Sequence, residues 1–225
     1  MISSRTKVIA CATIIEEMLP LMPPDMSYEA LDFGLHLYPV NLRDTLQATI
    51  DAASAEVETI ILGYGLCSMA VVGLKATNCT LVAPRVDDCI AIFLGSRASY
   101  KEQSSREPGT YYLTKGWILV NYTPFEEHRR LVERYGQERA DRMIKLMLKN
   151  YTRLAFIYTG QYEQERYRDY ARRTAEQFEL RYEEIPGSTV FVKKMIFGPW
   201  DDDFVVAQPG QTISYANFIT ITTQM

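Results

Sequence analysis

The amino-acid sequence predicts an α/β protein in three layers, with a mostly parallel sheet and helices on both of its faces. Short apolar segments recur along the chain, and most are followed by a segment whose apolar residues repeat at helical spacing. Alternation of strands and helices is typical of parallel sheets, because the connection between two parallel strands crosses a face of the sheet. Residues 1–225 are predicted to form one domain, more helical from about residue 121 onwards.

The first half of the chain predicts four strands with helices between them. The helix after the first strand ends at Pro20, because proline inside a helix removes a hydrogen bond. Asn41 has the residue type of an N-cap for the next helix. A small apolar helix is predicted to end at Gly73, and a longer one to run from Cys89 to about Lys101. The predicted strands are residues 7–12, 28–35, 59–62 and 80–83.

The second half predicts four more strands and a larger share of helix. A strand at residues 111–120 follows a Pro-Gly break, and two helices meet at Gly136. Apolar residues at helical spacing indicate a further helix at residues 167–178, and a shorter helix is predicted at 190–197. The remaining predicted strands are residues 154–158, 181–185 and 204–207.

Three cysteines and one histidine stand close to the ends of predicted strands. Cys11 ends the first strand and His36 follows the second. Cys67 follows the third strand and Cys89 the fourth, whereas Cys79 precedes its strand. Right-handed crossovers place the carboxyl ends of parallel strands at one edge, where ligands bind at the point of strand-order reversal. Three thiols and an imidazole at that edge suit zinc, iron or an iron–sulfur cluster.

Each of these residues also fits a purely structural interpretation. Cysteine is among the most frequently buried residue types, so Cys11, Cys67 and Cys89 could act as small apolar core residues. His36 could cap a turn before Pro39. Cys79 is expected at the opposite edge of the sheet, in the core.

One glycine-containing turn and one aromatic segment supply candidate ligand-binding residues. Gly63 and Gly65 flank Tyr64 in a turn that allows close approach of the backbone to a ligand. This turn lacks the full pattern of a phosphate-binding loop. The segment from Tyr111 to Trp117 is rich in aromatic and hydroxyl side chains, which suits a pocket for a planar ligand. It equally suits an edge strand with half-buried aromatic residues.

Charged residues in the turn before Cys89 are the other candidates. Arg85 could bind a carboxylate or phosphate group, or form an ion pair with Asp87 or Asp88. Asp88 fits an N-cap for the following helix, a hard ligand or a general base.

Composition argues against two classes of binding partner, nucleic acids and membranes. The formal net charge of −4 argues against a nucleic-acid-binding protein. No apolar run approaches the roughly 20 residues that span a bilayer, and the N-terminus does not resemble a signal peptide. We therefore expect a cytoplasmic protein with no membrane partner, whose cysteines are thiols or metal ligands rather than disulfides.

Four segments resemble the pattern of DUF1638, an uncharacterised family of bacteria and archaea. They are ILGYGLC (61–67), PRVDDCI (84–90), LGS (94–96) and PGTYYLTKGW (108–117), and the likeness extends to Cys11 and His36. The resemblance implies no defined activity. It implies a setting beside corrinoid-dependent methyltransferases, with a corrinoid protein or methyltransferase as partner, and a corrinoid as a less favoured cofactor than a metal. The family pattern has a His-Asp-Cys turn where this chain has Asp87, which puts an obligatory imidazole ligand at that position in doubt.

Two functions of different classes follow. The first is a metal-thiolate protein, enzyme or accessory, acting in or alongside corrinoid-dependent methyl transfer. The second is a metal-free module that binds a small molecule or a partner, with structural cysteines.

Overall fold

A computed structural model describes residues 5–219 and contains eight strands in two sheets within that range. The ends of the predicted domain, residues 1–4 and 220–225, lie outside the described residues. The strands are β1 (Thr6–Cys11), β2 (Ser27–Leu31), β3 (Thr59–Gly63), β4 (Thr80–Pro84), β5 (Thr110–Leu113), β6 (Arg153–Tyr158), β7 (Arg181–Pro186) and β8 (Phe204–Ala207).

Helices cover both sheets, and most occupy the predicted places. They are α1 (Ala12–Met18), α2 (Pro39–Ala53), α3 (Ile90–Phe93), α4 (Arg97–Arg106), α5 (Lys115–Val120), α6 (Pro124–Tyr135), α7 (Gln137–Met147), α8 (Glu165–Gln177) and α9 (Val190–Phe197). The predicted α/β class with mostly parallel strands is confirmed. That the chain forms one domain stays a prediction.

The larger sheet has the strand order β2-β1-β3-β4-β8, in which only β8 is antiparallel to its neighbour. The chain moves from β1 to β2 on one side and then to β3 on the other. The order therefore reverses between β1 and β3, where Ala10 pairs with Gly63. Ligands of open parallel sheets bind at the carboxyl edge beside such a reversal.

The smaller sheet, β5-β6-β7, is entirely parallel and was not predicted as separate. Successive side chains of a strand point to opposite faces of the sheet, and β6 buries side chains on both faces. Ala155 and Ile157 join the core of the larger sheet, whereas Leu154 and Phe156 join a second core beneath α6, α7 and α8. A strand buried on both faces is typical of a parallel sheet.

Several sequence predictions were wrong in local detail. The segment at 111–120 is a strand only to Leu113 and then becomes α5. The helix predicted from Cys89 is broken at Gly95, whose φ of +83° allows the chain to turn, and Ser96 caps a new helix by accepting from Ser99 N–H (3.0 Å). The residues up to Gly73 form turns, with Met69 at φ +56°.

Close packing of α5 on α1 explains the first of these errors. A Cβ atom at Gly116 would lie 2.4 Å from the carbonyl oxygen of Thr13, so only glycine allows this approach. The tertiary contact overrides the strand propensity of the apolar residues that follow. It also brings Trp117 to the carboxyl edge of the larger sheet.

Asn41 does not cap α2, because that helix begins two residues earlier at Pro39, a residue favoured in the first turn. Among the described residues, no helix combines the length and apolar character that crossing a bilayer requires.

Candidate functional site

A cavity of about 210 Å³ lies at the carboxyl edge of the larger sheet, beside the strand-order reversal between β1 and β3. We call it the thiol cavity. Its lining includes Cys11, His36, Cys67 and Cys89, the four residues considered as metal ligands. The structure thus brings together side chains separated by up to 78 positions (89 − 11) in the chain. Cys79 is buried at the start of β4 and does not contribute to this lining.

Three different strand ends supply the thiols. Cys11 is the last residue of β1, and its Sγ lies 3.0 Å from Oγ1 of Thr13 at the start of α1. Cys67 lies on the turn after β3, and Cys89 immediately precedes α3. The two cysteine-bearing turns are tied together because Leu66 N–H donates to the carbonyl oxygen of Val86 (3.0 Å).

Gly65 makes that contact between the turns possible. A Cβ atom at this position would lie 2.7 Å from the Val86 carbonyl oxygen and 2.8 Å from its Cγ2. Gly65 is therefore needed for packing of the two turns and does not itself line the thiol cavity. Gly63, by contrast, lines the cavity and packs against Ala10 of β1.

The imidazole of His36 is oriented by its own turn. Its Nδ1 lies 3.1 Å from the Phe33 carbonyl oxygen, which only accepts, so Nδ1 carries the proton and Nε2 keeps a free lone pair. The ring stacks on Phe33 (4.9 Å between centroids) and lies 5.8 Å from Tyr64. Burial lowers the pKa of His36, although the hydrogen bond to Phe33 opposes this shift, and the ring is therefore neutral at pH 7.

Burial is the largest cause of the raised pKa of all three thiols, and neighbouring charges add to it. Burial, followed by the charges of Asp88 and Cys11, raises the pKa of Cys67 to about 11. The pKa of Cys67 is raised although the residue as a whole is exposed to solvent. Burial, then Cys67 and Asp88, raises the pKa of Cys89 well above its ordinary value, and burial also raises that of Cys11. The cluster is thus neutral at pH 7 unless a cation compensates the thiolates.

The side chains do not already form a closed single-ion site. Across residues 5–219, no three His, Cys, Asp or Glu side chains converge on one point as the ligands of a single ion do. Cys67 and Cys89 lie in turns, outside the strands and helices, so rotation of their side chains would not disturb a strand or helix.

The remaining predicted residues divide between two places. Tyr64, Asp88 and Trp117 line the thiol cavity. Asp88 Oδ1 accepts from N–H of Ile90 (2.8 Å), the first residue of α3, although the N-cap position itself is occupied by Cys89 and not by Asp88 as predicted. Tyr111 lines a neighbouring cavity instead.

Arg85 belongs to neither cavity lining. Its guanidinium donates to the Phe204 carbonyl oxygen of β8 (3.3 Å). Among the described residues it forms no ion pair with Asp87 or Asp88, and Asp87 instead lies 4.0 Å from Arg97. The ligand-binding role of Arg85 stays a prediction.

Sequence reasoning missed four residues that line the thiol cavity, Thr13, Ile14, Phe33 and Ile90. Thr13 contacts the sulfur of Cys11, and Phe33 stacks on His36. A hydroxyl two residues after Cys11 was a visible signal for Thr13. Phe33 was missed because residues 28–35 were predicted to form one strand. In the structure β2 ends at Leu31 and a 3-10 turn follows, which carries Phe33.

A larger cavity, about 580 Å³, lies between α7 and the end of α8 and contains none of the predicted site residues. Its His128 Nε2 lies 2.7 Å from Asp141 Oδ1, to which Gln137 also donates (2.7 Å). This network is satisfied within the protein and joins α6 to α7. We therefore place the candidate site in the smaller, thiol-lined cavity.

Comparison with known proteins gives one positive result. The family model described as "Protein of unknown function (DUF1638)" matches residues 30–196, which include His36, Cys67 and Cys89. No significant match was found among curated proteins or among solved structures.

Proposed function

We propose that this chain, which belongs to the DUF1638 family of proteins of unknown function, binds a metal centre through the thiolates of Cys11, Cys67 and Cys89. The carrying observation is the convergence of these thiols and His36 on one cavity at the strand-order reversal. Thiolates and imidazole are the ligands preferred by zinc and iron. A metal cation also supplies the positive charge that three neighbouring thiolates need.

His36 is proposed as the fourth ligand, unless an external molecule takes that position. Metal-binding histidines usually donate their second ring N–H to a carbonyl or carboxylate group, which fixes the tautomer. The bond from Nδ1 of His36 to the Phe33 carbonyl oxygen has this form and leaves Nε2 for the metal. The lowered pKa of His36 keeps the ring in the neutral form that binds metals.

An iron–sulfur cluster fits better than a single zinc or iron ion. The thiol cavity of about 210 Å³ is several times the roughly 30 Å³ occupied by one water molecule. In a four-iron cluster each thiolate binds a different iron atom, so the sulfurs lie further apart than around one ion. This agrees with the lack of a converged single-ion site among the described residues.

The proposed setting is the cytoplasm, in or alongside corrinoid-dependent methyl transfer. Its support is the setting implied by the family resemblance and the reactivity of metal-bound thiolates. We propose that any corrinoid is carried by a partner, a corrinoid protein or methyltransferase. The thiol cavity is smaller than the roughly 300–1,000 Å³ of pockets for drug-sized ligands, and a corrin ring is larger than such ligands.

A metal-free binding module is the second candidate. The observation that favours it is again the lack, within residues 5–219, of three converged ligands. In this case the aromatic walls, Phe33, Tyr64 and Trp117, would hold a small apolar molecule and the cysteines would be part of the wall.

Alkylation of Cys67 separates the two candidates. In chelator-treated protein its pKa of about 11 keeps the thiol protonated near pH 7, and the thiolate fraction rises with pH. We expect the rate of reaction with iodoacetamide, followed by peptide mass spectrometry, to rise roughly tenfold per unit between about pH 7 and about pH 9. Anaerobic loading with iron and sulfide should then suppress the reaction.

The outcome against the metal proposal is equally clear. A rate at Cys67 that loading with iron and sulfide, or with zinc, leaves unchanged favours the metal-free module. A rate that reaches its plateau below about pH 9 contradicts the electrostatic description of the cluster.

A further inference from the structure

A second cavity, of about 370 Å³, adjoins the thiol cavity and shares three of its wall residues, Asp88, Ile90 and Trp117. We call it the tyrosine cavity, because its other walls include Tyr100, Tyr111, Tyr112 and Tyr151. These tyrosines come from α4, from β5 and from the turn before β6. An opening between two sheets, walled by aromatic side chains from separate elements, has the form of a ligand pocket.

The charges around the tyrosine cavity leave a negative excess. Glu107 lines the cavity and pairs with Arg181 (2.8 Å), while Arg153 pairs with Glu183 (3.1 Å). These four charges cancel. Asp88 remains: across residues 5–219 no lysine or arginine lies within ion-pair distance of its carboxylate, which accepts from Ile90 N–H and from the Tyr100 hydroxyl.

Aromatic faces combined with one unpaired carboxylate are the chemistry that recognises organic ammonium ions. The ring quadrupole attracts a cation, and methyl groups on nitrogen favour contact with apolar ring surface over water. Carbohydrates also bind aromatic walls, but they need no compensating charge. We propose that the tyrosine cavity is a binding site for a small organic ammonium ion, with Asp88 as the counter-charge.

This inference goes beyond the metal–thiolate proposal and does not rest on it. The shared wall places an ammonium ligand next to the thiol cavity, because Asp88, Ile90 and Trp117 line both cavities. A molecule bound in the tyrosine cavity would thus lie beside any centre held by the three cysteines.

The test is a calorimetric titration with choline, using chelator-treated protein and a Cys67→Ala variant alongside the untreated protein. The comparison ligand is the uncharged analogue in which a tert-butyl group replaces the trimethylammonium group. We expect choline to bind all three preparations, and to bind about fivefold or more tightly than the analogue. Binding that survives chelation and Cys67→Ala supports this site even if the metal proposal fails.

Two matched pairs of variants locate the site. Asp88→Asn keeps the capping acceptor for Ile90 N–H and should weaken choline binding about fivefold, whereas Asp87→Asn removes an equal charge from an exposed neighbour outside the cavity and should leave it unchanged. Tyr151→Leu removes an aromatic face from a partly exposed position, and Tyr151→Phe retains that face. Only the leucine variant should weaken binding.

Three results would overturn the proposal. They are no choline binding by the folded protein, equal affinity for choline and its uncharged analogue, and equal effects of the two members of each variant pair. Circular dichroism of every variant confirms that it is folded, and the Tyr151 pair decides if Asp88→Asn does not fold.

Discussion

Cys67→Ala and Cys89→Ala variants are expected to lose bound metal by about tenfold or more per chain, relative to the unaltered protein. Each change removes one of three proposed thiolate ligands, and both residues lie in turns that tolerate a smaller side chain. The measurement is elemental analysis of iron and zinc in variants purified under identical anaerobic conditions.

Cys79→Ala is the matched control for these variants. Cys79 undergoes the same chemical change but is a core residue (1% exposed) outside the thiol cavity. It should cost some stability and leave the metal content unchanged. If Cys79→Ala lowers the metal content as much as Cys67→Ala does, the effect comes from the fold and the proposed ligand set is contradicted.

Arg153→Met is expected to lower the free energy of unfolding by about 3 kcal/mol, the largest effect on stability that we predict. Arg153 is fully buried (0% exposed) in β6. Its guanidinium donates to Thr110 (2.7 Å), Glu183 (3.1 Å) and Gln103 (3.2 Å), and thereby links β5, β7 and α4. Removing it leaves these buried or half-buried polar groups without a donor, although Glu183 keeps its contact with Arg181.

Urea denaturation followed by circular dichroism measures this loss, and Arg142→Met provides the control. Arg142 is exposed on α7 and, within residues 5–219, pairs only with Glu138 one turn away, so its replacement should change the stability by less than about 0.5 kcal/mol. Equal stability of Arg153→Met and the unaltered protein would show that the buried network does not hold the smaller sheet.

The position of the site was accessible from sequence because it depends on chain order and chirality. Cys11 ends a parallel strand, His36, Cys67 and Cys89 each follow one, and parallel strands end at a common edge. That rule requires no knowledge of side-chain packing. The strands β1, β3, β4 and β8 were also predicted within about one residue, since each is a short apolar segment bounded by turn signals.

What sequence did not predict depends on contacts between distant residues. The split into two sheets is decided by which strand each of β5, β6 and β7 pairs with, and apolar periodicity carries no information about pairing partners. Gly65 was assigned to ligand binding but packs on Val86. Arg85 was assigned to an anion or a neighbouring aspartate but reaches Phe204, 119 residues away.

The tyrosine cavity was likewise predicted from sequence only in part. The aromatic segment from Tyr111 to Trp117 indicated a pocket, and Tyr111 does line one. The segment divides after Leu113, however, so that Tyr111 and Trp117 lie on different elements, and the cavity forms only with Tyr100 and Tyr151 from elsewhere in the chain.

Elemental analysis of the unaltered protein, purified without oxygen and assayed for iron, zinc and acid-labile sulfide, tests the central claim most directly. The account predicts a near-stoichiometric metal centre, with iron and sulfide present together. Protein that contains neither iron nor zinc, and in which all four cysteines titrate as free thiols after unfolding, would contradict it.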